Sequence, residues 1–177
     1  MPRLTKIALG CGAITVCLLA TWHVLARQAE RTPAARSAAP PARSATVPRP
    51  PLSAALKALD AAVASATQAG ISLSCAVVDV HGDAVALVRM DDAGFLTVSL
   101  AQGKALVAAL FGRPSDLGPM AASPFFASVN ASLQGRMVPA QGAVPIVRDG
   151  RVIGAVGCSG GAPAQDEAAA KAALAML

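Results

Sequence analysis

Short apolar runs separated by turn residues predict two β-hairpins in this chain. The apolar runs Val144–Val147 and Val152–Val156 flank the sequence Arg-Asp-Gly-Arg, and an Asp-Gly pair between two such runs is a strong signal for a tight antiparallel turn. Ile71–Asp79 and Ala84–Met90 form a second pair of runs, joined at His81-Gly82-Asp83. We therefore expect four antiparallel strands.

Apolar residues at helical spacing predict three helices around these strands. The first has Ser53 as its predicted N-cap and ends at Gly70, the second covers Val98–Phe111, and the third covers Ala164–Leu177 after Pro163, a residue favoured at the start of a helix. This order predicts an α+β fold, a single three-layer domain in which helices flank a central antiparallel sheet.

The segment Ser115–Gln141 lies between the second helix and the second hairpin and carries repeated prolines and glycines. Its composition predicts short helical turns and loops. We expect Phe125 and Phe126 to hold this segment against the core.

The N-terminal part of the chain differs from the rest in composition. Ile7–Ala26 is uncharged and apolar over about the length of a bilayer crossing, and basic residues precede it. Residues 1–26 are either a signal peptide cleaved after Ala26 or an uncleaved anchor that holds residues 4–26 in the membrane, and the length favours the anchor. Residues 27–52, rich in Pro, Ala and Arg, predict a disordered linker to a domain at 53–177. Both alternatives predict a periplasmic or other extracytoplasmic location, free or anchored to the inner membrane.

The formal net charge of +5 comes from the N-terminal segment. Seven basic residues and one acidic residue precede Leu52, whereas eight basic and nine acidic residues follow it. The predicted domain is therefore close to neutral and has no Tyr or Trp. Nucleic acid is excluded as a partner, because such a surface needs a basic patch with stacking rings.

Two cysteines, Cys75 and Cys158, lie in the predicted strands, each in a context where Val would also fit. Two buried free thiols are the favoured interpretation. A disulfide between them is the alternative if the domain is exported and the two strands are neighbours.

A glycine-rich stretch, Gly157–Gly161, joins the last strand to the last helix, and Asp166 follows in the first helical turn. Unpaired N–H groups at such a turn favour a carboxylate or another anion. The structural alternative is that Gly160 and Gly161 only provide backbone freedom and close contact between helix and strand.

Several short motifs together resemble the GlcG/HbpS family, the haem-degrading or haem-binding domain, over about Ser53–Leu177. They are Ala76-Val77-Val78-Asp79 with Gly82, Arg89-Met90-Asp91-Asp92-Ala93, Lys104-Ala105, Val144-Pro145-Ile146, Ile153 to Gly161, and Asp166-Glu167. The resemblance implies a profilin-like antiparallel sheet, a homo-oligomer, haem binding in some members, and a haem and redox sensor partner in an exported member. Departures such as Asp92 in place of the usual glycine concern the ligand site more than the fold.

If haem binds, His81 is a candidate axial ligand, and Met90 and Cys158 are alternatives. Asp79, Arg89, Asp91 and Lys104 are charged residues within the family-like motifs, and Gly157, Ser159, Gly160 and Gly161 form the predicted anion-binding turn. The four charged residues could bind a small acid, but an ion-pair network that fixes the fold is favoured.

Three hypotheses about function remain open. The first is an exported or membrane-tethered domain, non-catalytic or weakly catalytic, that binds haem or a related small anionic ligand and could serve as a haem or redox sensor accessory. The second is an enzyme or accessory that binds a small carboxylate through Gly157–Gly161, Lys104 and Arg89. The third is an oligomeric structural module without a ligand. Catalysis is the less favoured alternative, because the sequence offers no Ser-His-Asp set and no metal cluster in the domain.

Overall fold

The structure, a computed structural model, describes residues 48–177, which belong to one compact unit. The predicted signal peptide or anchor at 1–26 and residues 27–47 of the predicted linker lie outside the described residues. In chain order the elements are α1 Leu52–Gln68, β1 Ser74–Asp79, β2 Ala84–Arg89, α2 Thr97–Phe111, a 3-10 helix Gly118–Ala122, α3 Pro124–Ser132, β3 Ala143–Arg148, β4 Arg151–Ser159 and α4 Pro163–Leu174. The four predicted strands and three predicted helices are confirmed.

The four strands form one antiparallel sheet in the order β2-β1-β4-β3. β3 and β4 meet at Asp149 and Gly150, which have φ angles of 51° and 73°. Positive φ at both central residues is typical of the type I′ turn that the Asp-Gly pair predicts. β1 and β4 lie at the centre, so the two hairpins meet there.

Helices cover both faces of the sheet, which confirms the predicted three layers. α2 packs on β1, β3 and β4, while α1 and α4 pack on each other and on the opposite face. Alanines fill much of the core on both faces. Because alanine is small, α2 lies close to the sheet, and Gly157 of β4 has no room for a side chain beside Ala101 and Ala105. No helix among residues 48–177 is both long and apolar enough to cross a membrane.

The chain enters the domain through a buried proline. Pro50 is fully buried, and its ring lies against Gly154 of β4, where an added Cβ would come within 3.2 Å of the proline Cγ and Cδ atoms. α1 then begins at Leu52 with Pro51 at the N-cap, so the prediction of Ser53 as the cap is wrong. The N–H groups of Ala54 and Ala55 donate to the Pro51 carbonyl at 3.1 and 2.9 Å, so main-chain bonds close the first turn without a capping side chain.

The segment between α2 and β3 folds into short helices, as predicted. Ser123 caps α3 by accepting a hydrogen bond from the N–H of Phe126 at 3.1 Å. Phe126 is buried and its ring stacks on Phe111 at 6.4 Å, but Phe125 is 64% exposed. The expectation that both phenylalanines hold the segment is therefore wrong for Phe125. Adjacent helical residues point about 100° apart, so a one-sided helix buries only one of them.

Cys75 and Cys158 form a disulfide, so the preference for free thiols is wrong. They are direct register partners on β1 and β4, with Cα atoms 4.1 Å apart, and both are fully buried. Directly opposed residues point to the same face of a sheet, which brings the two thiols together. The pattern alone could not show that these two strands are neighbours, since 83 residues separate the cysteines.

Candidate functional site

Lys104 and Asp166 form a buried ion pair between α2 and α4. The Lys104 Nζ atom lies 2.7 Å from Asp166 Oδ2, and the two side chains are only 7% and 3% exposed. Nζ also donates to the Cys158 carbonyl at 3.3 Å. Gly142 leaves space for this contact, because a Cβ there would lie 2.8 Å from both Nζ and the Cys158 oxygen. Lys104 therefore already has two internal acceptors.

The turn after β4 is tied to the first turn of α4. β4 continues through Ser159, which is buried, so the turn consists of Gly160, Gly161 and Ala162. The N–H of Gly161 donates to Asp166 Oδ1 at 2.9 Å, and that of Ala162 donates to Gln165 Oε1 at 2.9 Å. The carboxylate at this glycine turn is thus supplied by Asp166 of the chain itself.

Two glycines of the predicted turn allow close packing. A Cβ on Gly157 would lie 2.4 Å from the Ala101 carbonyl of α2, and one on Gly160 would lie 2.4 Å from the Ser72 carbonyl. Gly160 also has a φ of 152°, which L side chains rarely adopt. These contacts agree with the alternative that the glycines provide backbone freedom and close packing instead of an anion-binding site.

Arg89 and Lys104 donate to different acceptors. The Arg89 Nε and Nη2 atoms donate to the Ala93 carbonyl at 3.1 and 2.6 Å, which closes the loop after β2. Asp91 is exposed within that loop. The small-carboxylate hypothesis would require Lys104 to exchange Asp166 for a ligand and Arg89 to leave Ala93.

Asp79 organises the β1–β2 turn that carries His81. Its Oδ1 atom accepts from the N–H groups of His81 and Asp83 at 2.9 and 3.1 Å. His81 is exposed and is the only histidine among residues 48–177. Gly82 packs on the Leu106 side chain, and its carbonyl accepts from Arg136 Nη2 at 3.5 Å. The turn is thus held in a defined place beside α2.

A surface pocket that the sequence analysis missed lies between α2 and the segment before β3. Its volume is about 270 Å³, and its lining residues are Ser99, Leu100, Gln102, Gly103, Leu106, Gly135, Arg136 and Val138. Gly103 was the available signal, because a glycine inside a helix indicates a close approach of another segment. A Cβ there would lie 2.5 Å from Val138 Cγ2. Since Leu106 and Arg136 both contact Gly82, this pocket borders the turn that carries His81.

Glu167 is the acid whose protonation the fold changes most clearly. It forms an ion pair with Lys171, one turn later on α4. The Lys171 ammonium, followed by a hydrogen bond from Gln141, lowers the pKa of Glu167 below its ordinary value of 4.5, against a smaller opposing effect of burial. No group of three or more His, Cys, Asp or Glu side chains within residues 48–177 could hold a metal ion.

The fold and these contacts define a small α+β domain with a disulfide across its central strands and a pocket of mixed polar and apolar lining that borders its histidine-bearing turn. The family model described as haem degrading protein HbpS-like matches residues 51–175. The chain therefore belongs to the HbpS-like family, as the sequence motifs predict.

Individual relatives agree with this assignment. The Protein GlcG of Escherichia coli is 44% identical over 90 residues, which are 50% of this chain and 64% of GlcG, so the match spans a little under two thirds of that relative. A crystal structure of a PduOC:heme complex is 32% identical, with a TM-score of 0.62 over 70% of this chain and 91% of PduOC. A double mutant of HbpS from Streptomyces reticuli is 28% identical, with a TM-score of 0.66 over 81% of this chain and 97% of the HbpS chain.

Proposed function

We propose that the domain of residues 48–177 binds haem in the pocket beside the His81 turn. The observation that carries this proposal is the similarity to PduOC, whose crystal structure is a heme complex. The family description, haem degrading protein HbpS-like, supports the same ligand.

The pocket offers the chemistry that haem requires. Leu100 and Val138, both partly exposed, provide an apolar wall for the macrocycle, with Leu106 buried behind it. Arg136 is exposed at the edge of this wall, where its guanidinium can pair with a haem propionate. His81 directly precedes Gly82, whose carbonyl Arg136 contacts, and an imidazole is a common axial ligand of haem iron.

The pocket would enclose only part of a haem. Its volume of about 270 Å³ lies just below the range of roughly 300–1,000 Å³ that is typical of ligand sites. Phe95 and Leu96, which are 79% and 54% exposed, precede the pocket residues at the start of α2 and could extend the apolar wall. The proposal includes a homo-oligomer, in which a second copy covers the remaining haem surface.

The other two candidate ligands are less suited to the iron. Cys158 is fully buried and its sulfur is bonded to Cys75. Met90 is half-buried at the end of β2. Like His81, neither residue is in the pocket lining, but His81 adjoins Gly82, whose carbonyl accepts from Arg136 of that lining. The sensor accessory role that the resemblance implies stays a prediction.

We also propose that the domain works outside the cytoplasm. A disulfide between two central strands is typical of proteins that fold in an oxidising compartment. The apolar stretch Ile7–Ala26 supports export or membrane attachment.

A hemin titration followed in the Soret region tests the haem proposal. Residues 45–177 are suitable, because they include the buried Pro50 and because the HbpS chain that matches this domain is almost entirely covered by it. The variants are His81→Ala, Arg136→Ala, and Arg113→Ala as a control that removes an exposed arginine outside the pocket.

The titration tests haem binding and the separate roles of His81 and Arg136. We expect a saturable Soret shift for the parent and a different peak position for His81→Ala. Arg136→Ala should lower the affinity for hemin about tenfold through loss of a charge-assisted hydrogen bond. Arg113→Ala should leave both the peak position and the affinity unchanged. A shift unaffected by His81→Ala and Arg136→Ala would place haem elsewhere. A spectrum that stays that of free hemin would refute haem binding and favour a small carboxylate or a structural module.

A further inference from the structure

Four exposed arginines lie at the end of the sheet where the chain enters the domain. Arg148 and Arg151 flank the β3–β4 turn, Pro48 lines a cavity with both, and Arg49 follows Pro48. Arg113 follows Gly112 at the end of α2, where a Cβ would lie 3.3 Å from Val152 of β4. We call this region the entry-end surface.

Two of these arginines oppose each other directly. Arg148 and Arg151 are register partners across the hairpin, so their side chains leave the same face of the ribbon. Like charges in this arrangement destabilise a hairpin unless an anion lies between them. The Arg148 Nη2 atom donates to the main-chain oxygen of Leu177 at 3.2 Å, and Asp149 lies in the turn itself. A cavity of about 280 Å³, closed on one side by Pro48 and Ile153, lies beside the pair.

Large apolar side chains are exposed at the same end. Val147 is 56% exposed next to Arg148, and Met176 is 52% exposed next to Leu177, whose oxygen Arg148 contacts. Leu52 at the start of α1 is 57% exposed, and Leu110 in the last turn of α2 is 45% exposed. Exposed apolar residues mixed with arginines are typical of surfaces that lie in a lipid headgroup region.

The sequence before residue 48 points to the same partner. The described chain begins at this surface, and the preceding segment carries further arginines after the apolar stretch Ile7–Ala26. Acidic groups at this end are the carboxylates of Asp79 and Asp83 in the β1–β2 turn and of Asp149. Asp79 is occupied with the N–H groups of its own turn, which leaves the arginine-bearing hairpin as the basic part of the surface.

We propose that the entry-end surface docks on an anionic lipid surface, with Arg148 and Arg151 contacting lipid phosphates. This interaction does not depend on haem. It would orient the domain so that the end carrying Phe95 and Arg89, at the opposite end of the β1–β2 hairpin, faces away from the lipid.

Sedimentation with vesicles tests this proposal on residues 45–177, which lack the apolar stretch. We expect binding to vesicles that contain phosphatidylglycerol and none to phosphatidylcholine alone, at an ionic strength of about 0.01 M where the Debye length is about 30 Å. Each arginine near an anionic membrane raises the affinity for it roughly fivefold, so Arg148→Gln/Arg151→Gln should lower the affinity for the vesicles about 30-fold. The control Lys57→Gln/Lys171→Gln removes two exposed lysines, so it has the same net charge but keeps the hairpin arginines, and it should bind nearly as the parent does.

Each of the following results would overturn the proposal. Equal binding to neutral and anionic vesicles, or no binding to either, would exclude an electrostatic lipid contact. Equal losses in the double variant and its control would show attraction by net charge alone. A thermal shift with inorganic phosphate that the hairpin variant loses, without vesicle binding, would instead assign the arginine pair to a small soluble anion.

Discussion

The buried ion pair between Lys104 and Asp166 makes a strong prediction about stability. Lys104→Met removes the charge while keeping an apolar chain of similar length, and it leaves the Asp166 carboxylate, 3% exposed, with the Gly161 N–H as its remaining recorded partner. Breaking a buried pair from one side costs about 3–5 kcal/mol, because the other charge stays buried and uncompensated. We expect a loss of that size in the free energy of unfolding.

Removing the second charge should restore part of this loss. Asp166→Asn keeps an oxygen that can accept from Gly161, so Lys104→Met/Asp166→Asn leaves no buried charge at this place. The remaining cost is the lost donor to the Cys158 carbonyl and any mismatch of the new amide, about 1–2 kcal/mol. The double variant should therefore be more stable than Lys104→Met alone by about 2 kcal/mol.

Urea unfolding of residues 45–177 at pH 7 measures these differences. Lys171→Met is the matched control, because Lys171 also pairs with an acid on α4 but its side chain is 63% exposed, and such pairs contribute about 0–1 kcal/mol. The reasoning is refuted if Lys104→Met costs no more than Lys171→Met, or if the double variant is less stable than Lys104→Met.

Two further predictions concern the disulfide and Glu167. Replacing both Cys75 and Cys158 by Ala should lower the free energy of unfolding by up to about 4.5 kcal/mol, which is the chain-entropy value for a loop closed across 83 residues. Urea titrations with and without a reductant should agree for the variant but differ for the parent. A parent domain indifferent to reductant under denaturing conditions would contradict this. Because the pKa of Glu167 is lowered in the fold, its ionised form stabilises the domain above its ordinary pKa of 4.5, and this contribution is lost as the pH falls through the lower pKa of the folded state. Glu167→Gln should thus lower the free energy of unfolding by less than about 1 kcal/mol at pH 7 and not at all near pH 2. Urea titrations at both pH values measure this difference. An equal loss at both would show a contact unrelated to charge.

Local patterns predicted most of the fold because the elements follow local rules. Asp149-Gly150 specified a hairpin turn that only positive φ angles allow, and Gly112 ends α2 with a φ of 62°. Apolar runs in the strands and helical spacing in α1, α2 and α4 then led to the layers. The error at Ser53 has the same origin, since the proline before Leu52 starts the helix in place of a side-chain cap.

The candidate site was less accessible because its parts are distant in the chain. Lys104 and Asp166 are 62 residues apart, and each alone resembles a residue available to a ligand. The pocket combines α2 with Gly135–Val138, a stretch without a regular pattern, so Arg136 carried no signal. The partner of Cys75 likewise depended on which strands are central, a fact of topology and not of periodicity.

The bond between Cys75 and Cys158 makes the chain between them a covalent ring. Both walls of the proposed haem pocket, α2 and the segment Gly135–Val138, lie inside this ring. A single proteolytic cut in the exposed part of Ser115–Gln141 would open the ring without producing two molecules. In a compartment that contains proteases, the nicked domain would keep both walls of the pocket on one covalent framework.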